Sequence, residues 1–350
     1  MSQPIVTIAG RKIGPGHPPY IVAEMSGNHN GDIGRALALI DAAKAAGADA
    51  VKLQTYTADT ITIDHDGPGF TVHGGLWDGR RLHELYDEAH TPWAWHQQLF
   101  DHAKAIGITI FSSPFDATAV ELLTALDAPA FKIASFELVD LPLIELCART
   151  GKPLIMSTGL ASPQEIAEAM AAARGAGATE IILLHCTSGY PAPPSDMNLL
   201  TLPHLAAEHG AVAGLSDHTM GVTVSVAAVA LGACFIEKHF TLDRAEGGVD
   251  SDFSLEPPEL ARLVTECHDA WLALGSVRYD EVASEASNRD FRRSLYVVAD
   301  VAEGEALTPE NVRSIRPGFG LPPKHLPEVL GRKASRALKR GTPLDWTMVS

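Results

Sequence analysis

Two lysines stand inside apolar runs: Lys52 in AVKLQ (50–54) and Lys132 in AFKIA (130–134). One such lysine alone can carry its ammonium to water along its aliphatic stem. Two at the same depth in different runs predict an anion site. Lysine charges joined by hydroxyls suit a phosphate and a carboxylate together, and Ser113, Ser135, Ser157 and Ser216 sit at the ends of such runs. Glu24 and Glu137, similarly placed, are the acid–base candidates. Nearby cations would keep them ionised, and burial works the other way. His218 and His239 close two consecutive runs. They lack the helical i,i+4 metal spacing, but adjacent strands lie about 4.8 Å apart, close enough for two imidazoles to share one ion. Two histidines completed by water and ligand oxygens suit Mn²⁺, Co²⁺ or Mg²⁺ better than structural zinc. Asp217 and Glu237 are also candidates, as carboxylate partners of the two imidazoles. No glycine-rich phosphate loop is present, which argues against a dinucleotide site.

The elements that must position these residues are legible from their alternation. Short apolar runs at 20–24, 50–54, 108–111, 130–134, 153–157, 181–185, 211–215 and 234–238 read as parallel strands buried on both faces. Helical stretches lie between them. One places Leu37, Ile40 and Ala43 or Lys44 on a single face; another opens with Ser162-Pro163, an N-cap followed by proline at the first helical position. Eight such units in about 280 residues predict an α/β fold of the (β/α)8 TIM-barrel type. An open doubly wound sheet is the alternative, because periodicity does not show closure. In a barrel the chemistry collects at the C-terminal ends of the strands. Polar residues end all eight runs, including Gln54, His185, Thr187, Ser188 and Tyr190.

Residues 56–92 are too long for an ordinary strand–helix loop and are expected to be functional, a lid over the barrel mouth. The barrel is assigned to 1–275, a polar linker to 276–290 and a small β-rich module to 291–350, too small to stand easily on its own core.

Composition narrows the function classes. The chain has 350 residues, 46% hydrophobic and 20% charged, with a formal net charge of −16. That balance disfavours nucleic acid and anionic membrane as partners. Four cysteines without CxxC spacing read as buried thiols in a reducing compartment. No signal segment or membrane span is apparent, so a cytoplasmic protein is expected.

Several stretches also carry a family resemblance: AEMSGNHNGD (23–32), VKLQTYTADT (51–60), FSSPFD (111–116), FKIASFE (131–137), MSTG (156–159), LHCTSGYP (184–191), GLSDHT (214–219), EKHF (237–240) and RPGFG (316–320). Their order and spread resemble the sialic acid synthase family, whose members condense phosphoenolpyruvate with an acylated amino sugar. The segment GGLWDGRRLHELYDEAHTPWAWH (74–96), with YTADT and FGLPPK, resembles the pseudaminic acid branch of that family.

The resemblance implies a barrel followed by an antifreeze-like (SAF, β-clip) domain. It implies C3 attack by phosphoenolpyruvate on the open-chain aldehyde of 2,4-diacetamido-2,4,6-trideoxy-L-altrose, with phosphate lost by C–O cleavage. N-acetylmannosamine or a legionaminic acid precursor is the alternative sugar, and a non-catalytic sugar-acid binder the alternative class. A divalent ion, Mn²⁺ first and Mg²⁺ or Co²⁺ otherwise, is implied at His218 and His239. Phosphoenolpyruvate contacts are implied for Lys52, Ser113, Lys132, Ser135, Ser157, Ser188 and Ser216. Sugar contacts are implied for Gln54, Tyr190, Asp250 and Arg316, the last reaching across a domain-swapped homodimer. Glu24 is implied to manage a water or a sugar hydroxyl, and Glu137 to lie beside the enol carbon. The sialic acid branch carries Asn at the place of Ser188 and Thr at that of Ser113, departures that bear on single hydrogen bonds rather than on the reaction.

Overall fold

The structure, a computed structural model, describes residues 3–350. Eight parallel strands close into a barrel in sequential order: β1 (Tyr20–Glu24), β2 (Ala50–Thr55), β3 (Thr109–Pro114), β4 (Phe131–Ile133), β5 (Leu154–Ser157), β6 (Ile181–Cys186), β7 (Val212–Asp217) and β8 (Phe235–His239). β8 pairs back onto β1, with His239 opposite Glu24. That pairing removes the open-sheet alternative.

The period of two along each strand sorts its side chains. One set, including Ile21, Val51, Leu53, Ile133, Met156, Leu183 and Ile236, packs outward beneath the helices. The other set, including Tyr20, Val22, Ala50, Ile155, Ile182, Val212 and Phe235, fills the barrel. Continuing the inward set toward the C-terminal end of each strand reaches Glu24, Lys52, Gln54, Ser113, Lys132, Ser157, Ser216, Glu237 and His239. The site is therefore the polar top layer of an otherwise apolar interior. The same alternation turns other strand-end groups away from it. Ser112 bonds Thr55 beside His96, His185 bonds the Met197 carbonyl, and Thr158 bonds the Leu184 carbonyl. At the opposite end a hairpin, Val6–Ile8 with Arg11–Ile13, buries Val6, Ile8 and Ile13 in the interior cluster. Gly214 is required for packing: a Cβ there would stand 2.5 Å from the Phe235 carbonyl oxygen and 2.7 Å from Leu184.

Helix Ile33–Ala45 buries Ala36, Leu39, Ile40 and Ala43, so its inner face is rotated from the expected one: Leu37 is half-buried and Lys44 exposed. Ser162 caps helix Pro163–Gly175 in a reciprocal box with Glu165. The insertion is not one loose lid. It holds helices Ala58–Ile61 and Leu82–Ala89 and a bridge between Thr71 and Arg81.

The chain divides into two compact units at Gly275–Ser276. The second, Ser276–Ser350, begins with exposed chain, passes through 3₁₀ turns at Ala283–Phe291 and pairs strands Ser294–Val297 and Val312–Ile315 antiparallel. Leu295, Val297, Val301, Leu307, Val312 and Leu344 lie in its own core. Most of the rest is joined by isolated bridges and turns rather than by long strands. Arg316 is exposed on this unit and stands before Pro317.

Candidate active site

Lys52 and Lys132 are both buried at the barrel's top layer and both reach one carboxylate. Glu237 Oε1 lies 3.2 Å from Lys132 Nζ and 3.5 Å from Lys52 Nζ, and it accepts from the Ser216 hydroxyl at 3.2 Å. Lys52 Nζ also pairs with Glu24 Oε2 at 2.8 Å and donates to Ser113 Oγ at 3.2 Å. Gln54 donates to Glu24 Oε1 and to Ser26 Oγ, each at 3.0 Å. Burial pushes Glu24 above the usual carboxylate range against the pull of Lys52. Burial acts on Glu237 too, but the two lysines outweigh it and hold Glu237 ionised. Lys52 is kept charged by Glu237 and Glu24 despite its burial. Burial, with repulsion from Lys52, lowers Lys132. Two cations thus face the mouth through shared carboxylates.

On the Lys132 side, at the ends of β4, β5 and β6, is a cradle of hydroxyls. Ser135 Oγ accepts from Gly159 N at 3.2 Å, and a Cβ on Gly159 would stand 2.6 Å from that oxygen and 2.5 Å from Ser188 Oγ. Only glycine leaves this space open. Ser157 Oγ and Ser188 Oγ are buried and unpartnered. Buried hydroxyls without partners are costly, and an oxyanion would satisfy both. Glu137 adds a carboxyl at the cavity wall with Oε2 unpartnered. Burial, only partly offset by its backbone hydrogen bond and Lys132, pushes its pKa up to about 7.

His218 and His239 close β7 and β8 with ring centroids 5.3 Å apart. His218 Nδ1 lies 2.9 Å from the Thr187 carbonyl oxygen, which can only accept, so Nδ1 donates and Nε2 faces away from that bond. Burial works against a charged His218, but Cys186, 3.9 Å from Nδ1, and the Thr187 carbonyl outweigh it and raise its proton affinity. Burial and the charge of His218 drive His239 well below the ordinary imidazole range. His239 Nδ1 is buried without a hydrogen bond, 3.7 Å from Asp250 Oδ2. Asp250 itself accepts from Ser26. Among the described residues no three His, Cys, Asp or Glu groups converge as a complete metal cage. The two imidazoles nevertheless fit a divalent ion whose other ligands are oxygens: an orphaned buried nitrogen, a fixed tautomer and a carboxylate close by are what such a site requires.

Two sequence expectations are corrected. Neither Asp217 nor Glu237 hydrogen-bonds an imidazole, although the charge of Glu237 adds to the raised proton affinity of His218. Glu237 points inward with His239 but bridges the lysines. Asp217 points outward, where it accepts from Lys238 Nζ at 2.9 Å, Ser225 Oγ at 2.6 Å and Thr219 N at 2.8 Å. The strand period decides both. Sequence reasoning gave no individual role to Ser26, Cys186 or Phe253, and it marked Trp77 only as part of the 74–96 segment. Phe253 lies 4.8 Å from the His239 ring. The inward register of Cys186 and the place of Ser26 within AEMSGNHNGD were signals for two of them.

A cavity of about 360 Å³ opens beside the site; Ser26, Gln54, Asp250 and His239 line it together with Ile61, Val72, Trp77 and Leu82 of the insertion. Tyr190 lines it too, its ring 4.5 Å from that of His218. The inward-facing strand-end residues thus gather at one mouth, whereas Asp217 and His185 turn away from it. Arg316 belongs to the second unit.

A closed (β/α)8 barrel whose mouth offers paired lysines, open hydroxyls and two imidazoles defines an enzyme scaffold for oxyanion substrates. Comparison with known proteins gives the particular lineage. The chain belongs to the NeuB family, which it matches over residues 39–279, and residues 292–350 match the SAF domain. It is 45% identical to a pseudaminic acid synthase of Helicobacter pylori over 94% of this chain and 97% of the relative. It is also 45% identical to a pseudaminic acid synthase of Campylobacter jejuni, over 93% of this chain and 95% of the relative. The crystal structure of the spore coat polysaccharide biosynthesis protein SpsE of Bacillus subtilis superposes with a TM-score of 0.68 at 34% identity, covering 99% of both chains.

Proposed function

We propose that the chain makes pseudaminic acid by condensing phosphoenolpyruvate with the open-chain aldehyde of 2,4-diacetamido-2,4,6-trideoxy-L-altrose. C3 of phosphoenolpyruvate bonds to the aldehyde carbon, whose oxygen takes a proton. Water adds at C2, and the C2–O bond to phosphate breaks, leaving the keto acid and free phosphate. Lys52 and Lys132 bind the carboxylate and phosphate, and Ser135, Ser157 and Ser188 fill the remaining oxyanion valences. Ser113 and Ser216 hold Lys52 and Glu237 in register. Glu24, held against Lys52 and Gln54, orients the water or a sugar hydroxyl. Glu137 has a proton affinity matched to transfer near neutral pH and stands at the cavity wall. A divalent ion held by His218 and His239, Mn²⁺ in preference to Mg²⁺ or Co²⁺, would supply Lewis-acid polarisation of the aldehyde oxygen.

The observation that carries the reading is the pair of buried lysines in a strand-end layer that also holds hydroxyls left without partners. It favours an enzyme over a passive sugar-acid binder, because acid–base groups stand close to the lysines: Glu24 pairs with Lys52, and Glu137 feels the charge of Lys132. Kinship at 45% identity over most of the chain supports the pseudaminic branch. We also infer a cytoplasmic homodimer in which Arg316 serves the barrel of a partner chain. All four cysteines are free and buried, which fits a reducing compartment, and Arg316 is exposed. No helix among the described residues is long and apolar enough to cross a membrane. The test is relative kcat/KM for the trideoxy sugar and N-acetylmannosamine. We expect a clear preference for the trideoxy sugar, and equal efficiency would reject the branch.

A further inference from the structure

We propose that Trp77, in the 56–92 insertion, determines sugar specificity by presenting a fixed apolar face to the deoxy end of the substrate. The inference rests on the sugar-condensing reading above. The lining of the cavity is mixed. Ser26, which bonds Asp250, and Gln54, which bonds Glu24, stand in it with His239, and Glu137 adds a carboxyl. The insertion contributes Ile61, Val72, Trp77 and Leu82, with no ionisable side chain among those four. Aromatic rings run from the imidazoles to that apolar group. His218 lies 4.5 Å from Tyr190, and Tyr190 lies 5.4 Å from Trp77. An open-chain sugar with its aldehyde at the imidazoles lies along Tyr190 and brings its last carbon to Trp77. A methyl group there is buried at no polar cost. A hydroxyl loses its water and finds no acceptor, which costs roughly fivefold to a hundredfold in affinity.

Trp77 is held rigidly enough to discriminate. Its indole N–H donates to the Val249 carbonyl oxygen at 2.9 Å, joining the insertion to the loop that carries Asp250. The side chain is therefore both part of the cavity's apolar wall and the fastening of the insertion to the Asp250 loop. The two roles separate by substitution. Trp77→Phe keeps an apolar ring and loses the hydrogen bond. Trp77→Ala loses both.

The experiment measures calorimetric affinity of the full chain for the trideoxy altrose sugar and for N-acetylmannosamine, with phosphoenolpyruvate affinity alongside. In parallel, limited trypsin digestion is followed by mass spectrometry at Arg80 and Arg81. We expect wild type to favour the trideoxy sugar and Trp77→Ala to reduce that preference by about tenfold or more, with phosphoenolpyruvate affinity unchanged. Trp77→Phe should keep most of the preference. Both variants should be cut faster in the insertion. Equal losses for both sugars and for phosphoenolpyruvate in Trp77→Ala would mean a merely structural role and overturn the inference. So would an unchanged preference. Wild type that binds the trideoxy sugar but does not turn it over would count against the reaction and leave the specificity result standing. Binding of neither sugar would overturn both.

Discussion

Replacing Asp217 by Asn removes the one ion-pair partner that Lys238 has among the described residues and leaves only the more distant charge of Glu259. Lys238 is 1% exposed on the outward face of β8, and Asp217, directly opposite in the strand pairing, is likewise 1% exposed. The ammonium donates to Asp217 Oδ2 at 2.9 Å and to the Thr219 carbonyl, while the other carboxylate oxygen accepts from Thr219 N at 2.8 Å. The pair thus clamps the residue after His218 and the residue before His239. Leaving one charge of a buried pair uncompensated costs about 3–5 kcal/mol. At about 2–3 °C per kcal/mol for a unit of this size, Asp217→Asn should melt on the order of 10 °C lower. Lys238→Met alone should be similarly costly. The double variant should recover most of the loss, because Asn still accepts from Thr219 N and no charge remains buried. Urea unfolding of the four proteins gives the coupling energy directly. Asp217→Asn within about 1 kcal/mol of wild type, or losses that simply add in the double variant, would refute the reasoning.

Other consequences follow from the same geometry. Lys132→Met leaves Glu237 with one cation and should raise the KM for phosphoenolpyruvate about a hundredfold with little change for the sugar; steady-state kinetics in each substrate checks it. Glu137 is about 7 in the folded chain against an ordinary 4.5, so its contribution to stability is complete at low pH and is lost as pH rises through 7. Glu137→Gln should therefore gain on wild type between pH 4.5 and 8, by up to roughly 3 kcal/mol, in paired denaturant titrations; an equal difference at both pH values would contradict the burial argument. His239→Ala should lose metal affinity and most activity while phosphoenolpyruvate affinity changes less, as read by Mn²⁺ titration after chelation; unchanged metal dependence would refute the ligand role. Arg316→Ala should lower turnover without changing the unfolding of either unit, and unaltered turnover would remove the cross-dimer role.

The barrel and most of its mouth were legible in the sequence because parallel strands buried on both faces must be nearly all apolar. Any charge within them stands out, as Lys52 and Lys132 did. What escaped was the direction of each side chain. Glu237 and Asp217 both neighbour a histidine in sequence, yet one faces the lysines and the other faces the helices. Counting in twos from His239 would have placed Glu237 inside, and counting from Ser216 would have placed Asp217 outside. The rotated face of helix Ile33–Ala45 escaped for a related reason, since small alanines bury as readily as leucines. The insertion resisted further, because the contact of Trp77 with Val249 joins residues 172 positions apart and no local pattern encodes it.

The most direct test of the central claim is phosphate release from phosphoenolpyruvate with Mn²⁺ in the presence of the trideoxy altrose sugar, N-acetylmannosamine or no sugar, with a chelated control and mass analysis of the product. The account predicts release only with the trideoxy sugar and metal, matched mole for mole by a nine-carbon keto acid. Release without sugar, or none with any sugar from folded, metal-loaded protein, would contradict it.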